Sequence, residues 1–305
     1  PLWLRRLPPE AFERELGAVP SSDTFARRIV NHLPRTANES RLWLGAVLFG
    51  AKATDEYFAL WLADQPIYHT PGKPQELFAV LAAYAWYSTA TGTRGQDLIV
   101  SPWRPEMSFD TALCAAKSWL NRIRLVLQLK PGTLSDPWLA PVEIDGLSIV
   151  PLLDHRALLA EAQAMHNCAD QYAERLARER CRLFSIRRKG QHVATLEVGP
   201  HPREAGMLTL TQLKARHNMP ASNEVWQTAY RWLAAQRDLK RAPILVPPER
   251  PLDQEVWSEI MLPYRRARRG APWLPETISA SSFGLLESNL GDLARRGGVS
   301  SWLFT

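Results

Sequence analysis

Met165-His166-Asn167-Cys168 is the stretch of this chain richest in reactive side chains. A thiol beside an imidazole can form a thiolate nucleophile, because a protonated histidine lowers the cysteine pKa. Geometry works against the pair on an unbroken helix, where residues two apart diverge by about 160° around the axis. His166 and Cys168 would then flank the apolar stripe, each about 80° from its centre. A helix that starts or breaks here would restore the pair. The competing reading is a structural, buried Cys168 and a His166 at the core edge, satisfied by a backbone carbonyl.

Further along, Ser185, Arg187, Thr195 and Glu197 fall on one face of a strand-like pair, which Thr209 and Thr211 can join from a third strand. One reading joins the Thr195 and Glu197 face to His166 and Cys168 in a pocket, Glu197 serving as base in thiol-dependent transfer or in nucleotide or nucleic-acid cleavage. The other makes them the wet face of an antiparallel sheet. Gln212, Lys214, Arg216 and Asn218 are amides and cations suited to a phosphate or base edge, and equally to helix capping and solvation. Arg187-Arg188-Lys189 and Arg265-Arg266-Ala267-Arg268-Arg269 are basic runs that serve a nucleic-acid partner or simply a solvated face. His166, Cys168 and Glu197 are able metal ligands with no recognised spacing, so no metal site is expected. The chain has no Walker loop, Gly-x-Gly-x-x-Gly, Gly-x-Ser-x-Gly or His-Glu-x-x-His motif, and no cofactor is expected.

The elements that must position these groups follow from hydrophobic periodicity. Phe25, Ile29 and Leu33 sit at helical spacing behind the cap signal Ser21-Ser22-Asp23. Residues 42–50, 55–63 and 74–89 read as further helices, and Ser108-Phe109-Asp110 opens another through Ile123 and Leu127. Residues 142–150 alternate around Asp145-Gly146, a strong hairpin signal. Asp154 can cap one long helix to about Arg180, with the stripe Leu158, Ala162, Met165, Ala169, Tyr172 and Leu176. Strands are expected over 182–188, 192–198 and 207–213, then a helix capped by Ser222 and running to about Arg237. A three-residue loop, Lys189-Gly190-Gln191, sets Ile186 opposite Ala194 and Phe184 opposite Leu196 on one apolar face; a two-residue loop mixes the faces.

The fold class expected is α+β: a helical N-terminal region over residues 1–139, a helix–three-stranded antiparallel sheet–helix unit over 140–240, and a Pro-rich extension over 241–305 that docks on the body. That extension is weakly helical around Glu255 to Leu262 and ends on the apolar Trp302-Leu303-Phe304. The chain has 305 residues, with 46% hydrophobic and 22% charged, which excludes disordered and collagen-like classes. Lys and Arg number 37 against 31 Asp and Glu, for a net charge of +6 and a pI of about 9.4, compatible with nucleic acid without demanding it. Twelve Trp require a large core or a sizeable partner interface. Three Cys (Cys114, Cys168, Cys181) without a Cys-x-x-Cys pair read as reduced thiols in the cytoplasm. No apolar run reaches membrane-spanning length, and Pro1 to Pro9 lacks a signal-peptide core; the missing Met reads as trimming.

Residues 151 to about 237 resemble the PcfJ-like family of bacterial conjugative plasmids and mobile elements. The resemblance is carried by Leu158-Leu159-Ala160-Glu161 leading to Met165-His166-Asn167-Cys168, by Tyr172, and by Phe184-Ser185-Ile186-Arg187 and Ala194-Thr195-Leu196-Glu197. Gln212, Asn218 and Trp232 complete it. It implies a part in plasmid DNA processing, and it maps the family's His, Cys, Thr, Glu and Gln onto His166, Cys168, Thr195, Glu197 and Gln212. Three functions therefore stand: a nucleic-acid-associated accessory protein of a mobile element, an enzyme built on that five-residue pocket, and a protein-interaction scaffold working through the Trp-rich helical half.

Overall fold

The computed structural model describes residues 49–65, 74–241, 251–267 and 275–279, with single positions at 28, 32, 43, 46 and 47. The expected helix around Phe25, Ile29 and Leu33, the basic residues Arg268 and Arg269, and the apolar end at Trp302 lie outside the described residues. The chain divides into two compact units, residues 1–120 with 254–305, and residues 121–253. Among the described residues no helix is long and apolar enough to cross a membrane.

The first unit is helical: α1 (Glu56–Ala63), α2 (Pro74–Thr89), the opening turns of α3 (Phe109–Gln128), and a C-terminal helix (Gln254–Arg266). Asp55 caps α1 by accepting a hydrogen bond from the Phe58 amide at 2.9 Å, which satisfies one of the donors a helix start leaves open. Aromatic rings fill the core. Trp61 stacks on Phe109, and Trp103 meets the edges of Phe58 and Trp61. Tyr87 packs against Trp119 and against Tyr264 of the C-terminal helix. Three of the buried indoles bond backbone carbonyls: Trp43 to Ala63 at 3.0 Å, Trp61 to Met107 at 2.8 Å and Trp119 to Gly95 at 2.8 Å. Much of the tryptophan surface is thus spent inside the unit, which removes support from an interface made of those residues.

The second unit is an antiparallel meander of β1 (Val142–Ile144), β2 (Leu147–Pro151), β3 (Arg182–Arg188), β4 (Gln191–Pro200) and β5 (Leu208–Ala215), paired in that order. The α+β class therefore stands, but the sheet has five strands rather than three. The hairpin of β1 and β2 belongs to it, because β2 pairs with β3 from Leu147↔Arg188 to Pro151↔Phe184. Local periodicity carries no sign of that long-range pairing. Asp145 and Gly146 both have positive φ (54° and 70°), the type I′ geometry that matches strand twist.

One face of the sheet carries Ile149, Phe184, Ile186, Ala194, Leu196 and Leu213 under α6 (Asn223–Ala234), which contributes Val225, Ala229 and Trp232. Between β2 and β3 the chain forms α4 (His155–Met165), a 3-10 turn (Ala169–Gln171) and α5 (Ala173–Ala177) on the other side. Leu158, Ala162, Ala169, Ala173 and Leu176 join Leu125 and Leu129 in a second core there. The C-terminal helix of the first unit is α7 in chain order.

The single helix expected from Asp154 to Arg180 is broken. Asp154 does cap α4, accepting from the Ala157 amide at 2.8 Å, but His166 turns left-handed at φ 47°, ψ 50°. Asn167 then offers the backbone an alternative to the helix: its side-chain oxygen accepts from the Ala169 amide at 3.0 Å. The apolar stripe hides this break, because Ala169, Ala173 and Leu176 still face the core after it.

Trp232 is the anchor of the α6 side, its ring edge-on to Phe184 at 4.9 Å and its indole N–H donating to the Ala140 carbonyl at 2.9 Å. Trp232→Ala is expected to destabilise the second unit by about 3–5 kcal/mol. Hydrogen exchange of β3 and β4 peptides in the full chain measures the loss directly, and Trp232→Phe should cost less.

Candidate functional site

The sheet face beneath α4 and α5 is polar, yet it is not wet. Glu161 lies between Leu158 and Met165 on the inward side of α4 and has no exposed surface. Moving a carboxylate out of water is costly unless it is hydrogen-bonded. Thr195 Oγ1 donates to Glu161 Oε1 at 2.5 Å, and His192 Nδ1 lies 2.5 Å from Glu161 Oε2. A carboxylate only accepts, so Nδ1 carries the proton and Nε2 keeps its lone pair in the neutral ring. Asn167 Nδ2 donates to Thr195 Oγ1 at 2.7 Å, and Arg187 Nε donates to Ser185 Oγ at 3.1 Å, beside His192.

A β-bulge aims His192 into this network. Ile186 pairs with Ala194 and Phe184 with Leu196, as expected, but the turn has two residues, Lys189 and Gly190, because Arg188 pairs with Gln191. The missing residue is recovered where Arg187 pairs with His192 and Val193 is left over. Without that irregularity Arg187 would face Val193, and His192 would point to the opposite face.

A second cluster surrounds Glu197, also buried. Arg175 grips it with two bonds, Nη2 to Oε1 at 2.6 Å and Nη1 to Oε2 at 3.1 Å. Tyr172 donates its phenol proton to Oε2 at 2.8 Å and lies 3.1 Å from the Gln212 side-chain oxygen. Thr211 Oγ1 donates to Oε1 at 2.8 Å. A second bulge, where Glu197 pairs with Gln212 but Val198 with Leu210, lets Thr211 reach the same carboxylate. Each carboxylate oxygen therefore accepts two hydrogen bonds, which leaves Glu197 no free position from which to serve as a base. Burial and the Glu197 carboxylate both push the Tyr172 phenol well up. Burial works to lower the Arg175 guanidinium, but the bond to Glu197 together with the charges of Glu197 and its neighbours outweighs it and holds it up. Asp170, beside Arg122 Nε at 2.8 Å, is raised because burial outweighs its ion pair.

Cys168, Thr195, Glu197 and Gln212 line one cleft together with Asn167, Tyr172, Lys214 and Asn218. Its water-accessible space is about 20 Å³, room for about one water molecule. His166 is not among the lining residues; it is exposed, its ring stacked on His217 at 4.8 Å between centroids. The helix breaks at His166, contrary to the continuous helix expected, yet no hydrogen bond joins His166 to Cys168. Burial, and then the negative charges of Asp170 and Glu197, push the Cys168 thiol up, so it stays protonated near neutrality. Cys181 is fully buried and pushed up to about 12 by burial. The three cysteines are free. Among the described residues no three His, Cys, Asp or Glu side chains assemble as metal ligands.

The basic residues divide between the units. Arg188 pairs with Glu224 at 2.6 Å on the surface, an arrangement worth little on its own. Lys189, Lys214, Arg216 and Asn218 sit where β4 begins and β5 ends, the same end of the antiparallel sheet. Arg265 donates to the Pro275 carbonyl at 2.8 Å, and Arg266 is exposed, both in the first unit.

Spacing alone did not single out His192 or Arg175. For Glu161 a signal exists: a carboxylate three residues after Leu158 and four before Met165 occupies a core position of the stripe. Comparison with protein-family models, with curated proteins and with solved structures returned no match.

Arg175→Met leaves Glu197 buried with its charge uncompensated and is expected to cost about 3 kcal/mol, part of which Arg175→Met with Glu197→Gln recovers; urea unfolding checks both. Iodoacetamide at neutral pH should modify Cys168 more slowly than a free thiol and leave Cys181 untouched until the unit unfolds, as read by peptide mass spectrometry. Because folding raises the Cys181 pKa, the protein should lose stability as the pH climbs from 9.0, the ordinary thiol value, toward about 12.

Proposed function

We propose that this is a nucleic-acid-associated accessory protein of a bacterial plasmid or other mobile element, a PcfJ-like protein working in the cytoplasm. It grips the phosphate backbone with the end of the sheet where β3 turns into β4 and β5 finishes. One observation carries the reading. At that end, among the described residues, the side chains of Lys189, Lys214 and Arg216 have neither an ion pair nor a hydrogen bond, and the terminal nitrogens of Arg187 have none either. Elsewhere in the same unit Arg122, Arg175, Arg182, Arg231 and Arg241 are matched to carboxylates while, among the described residues, Arg156, Arg180, Arg203 and Arg237 are not, so what marks this end is the gathering of several unmatched cations at one end of the sheet. Unmatched cations beside a cleft bearing Gln212 and Asn218 suit phosphates, which position, and base edges, which specify. The pI of about 9.4 and the resemblance of residues 151 to 237 support the same reading.

Fluorescence anisotropy with DNA and RNA oligonucleotides tests it. Log Kd should rise steeply with log salt, with a slope of about 3 to 4 for that many phosphate contacts. Lys214→Glu with Arg216→Glu should weaken binding at least tenfold. Arg203→Glu, in the exposed connection at the far end of the sheet, should change it little. Absence of salt-dependent binding, or equal effects from both reversals, rejects the proposal.

A further inference from the structure

His192 has the arrangement of an acid–base residue that the binding role does not use. Its Nδ1–H is tied to Glu161, a carboxylate with no exposed surface, and its own side chain is 21% exposed. Among the described residues Nε2 makes no hydrogen bond, and it is not one of the enclosed unpartnered atoms, so the basic nitrogen can be reached while the other is fixed. A buried carboxylate that sets the tautomer and orientation of an imidazole is how a general base is held ready. Glu161 is fixed in turn by Thr195, and Thr195 by Asn167 at the helix break. Across the strand pair, His192 stands opposite Arg187, and Lys189 follows in the turn.

Such a base needs a nucleophile. Cys168 belongs to a different cleft and is kept as a thiol by burial. A water molecule attacking a phosphodiester has no positional advantage. A ribose 2′-hydroxyl sits beside its own phosphate, and intramolecular placement of this kind is worth effective molarities of about 10⁵–10⁸ M.

We infer that His192, positioned by Glu161, is the general base of a ribonuclease activity on RNA held at the basic end of the sheet. The inference rests on the nucleic-acid reading above. Nε2 takes the 2′-hydroxyl proton as O2′ bonds to phosphorus. The P–O5′ bond breaks, and O5′ leaves with its electron pair and takes a proton from water. The products are a 2′,3′-cyclic phosphate and a 5′-hydroxyl end, and the imidazolium returns its proton to solvent. Arg187 and Lys189 stand beside the phosphate as charge builds on its oxygens. His192 is the catalytic residue; Glu161 is a positioning residue.

The experiment uses the full chain and a labelled single-stranded RNA, its all-deoxy counterpart, and an RNA with one 2′-hydroxyl among deoxynucleotides. The RNA should be cut to a 2′,3′-cyclic phosphate, the DNA bound and left intact, and the mixed strand cut only at its ribose. His192→Ala should lower kcat by at least about 100-fold with KM and oligonucleotide affinity unchanged, and added imidazole should restore part of the rate. His192→Gln, which refills the space, guards against a folding defect and should be equally slow. Glu161→Gln should reduce kcat and not KM, a split that a merely structural loss would not produce. RNA bound but uncut, or cleavage that survives both His192 variants in identically purified protein, overturns the inference and leaves the binding proposal intact. Absence of salt-dependent binding to either strand overturns the binding proposal itself.

Discussion

A carboxylate with no access to water, Glu161, constrains everything around it. Left unpartnered it would oppose folding of its own helix, so α4 can settle on the sheet only where Thr195 and His192 meet both carboxylate oxygens. That requirement fixes the register of α4 over β4. It also gives the bulge at Val193 a reason, because a regular ladder would turn His192 away. The apolar contacts of Leu158 and Ala162 supply attraction, while the polar contacts select a single seating among those the apolar stripe permits.

Glu197 imposes the same kind of constraint one pair of residues along β4. Its partners Tyr172 and Arg175 come from the segment after the helix break, three residues apart and therefore on one side of a helical turn. A continuous helix from Asp154 would carry Tyr172 along the axis of α4 and away from β4. The left-handed His166 and the hydrogen bonds of Asn167 thus decide where a second buried ion pair forms. Glu161 and Glu197 are linked through a short polar run in which Asn167 touches Thr195, and Thr195 shares the cleft with Glu197.

Much of this architecture is legible in the residues. Asp145-Gly146 announces its turn, Asp55, Asp154 and Ser222 cap their helices, and the alternation of Phe184, Ile186, Ala194 and Leu196 defines an apolar face. What periodicity conceals is long-range or compensating. The joining of β2 to β3 depends on contacts across some thirty residues of intervening chain. The two-residue turn at Lys189-Gly190 and the bulge at Val193 cancel in register, so the apolar pairing comes out the same as for a three-residue loop. Of the five expected site residues, Cys168, Thr195, Glu197 and Gln212 share a cleft, and His166 stands apart with His217. The polar face gave its residue types on strands β3 and β4, but a strand pattern alone cannot tell whether water or a helix covers it.

The open meander also has two edges, and each is closed to strangers in its own way. β1 is only three residues long, too short to template much of another strand. On β5, isolated bridges Met207↔Lys240 and Lys214↔Pro220 occupy both ends of the outer rim, and threonine, glutamine and lysine supply much of the strand between. An incoming strand from a second molecule would find too few consecutive free backbone groups to extend the sheet. The loop that carries Arg216 and Asn218 at the basic end therefore also guards that end of β5 against fibrillar stacking, and the segment at Lys240 guards the other.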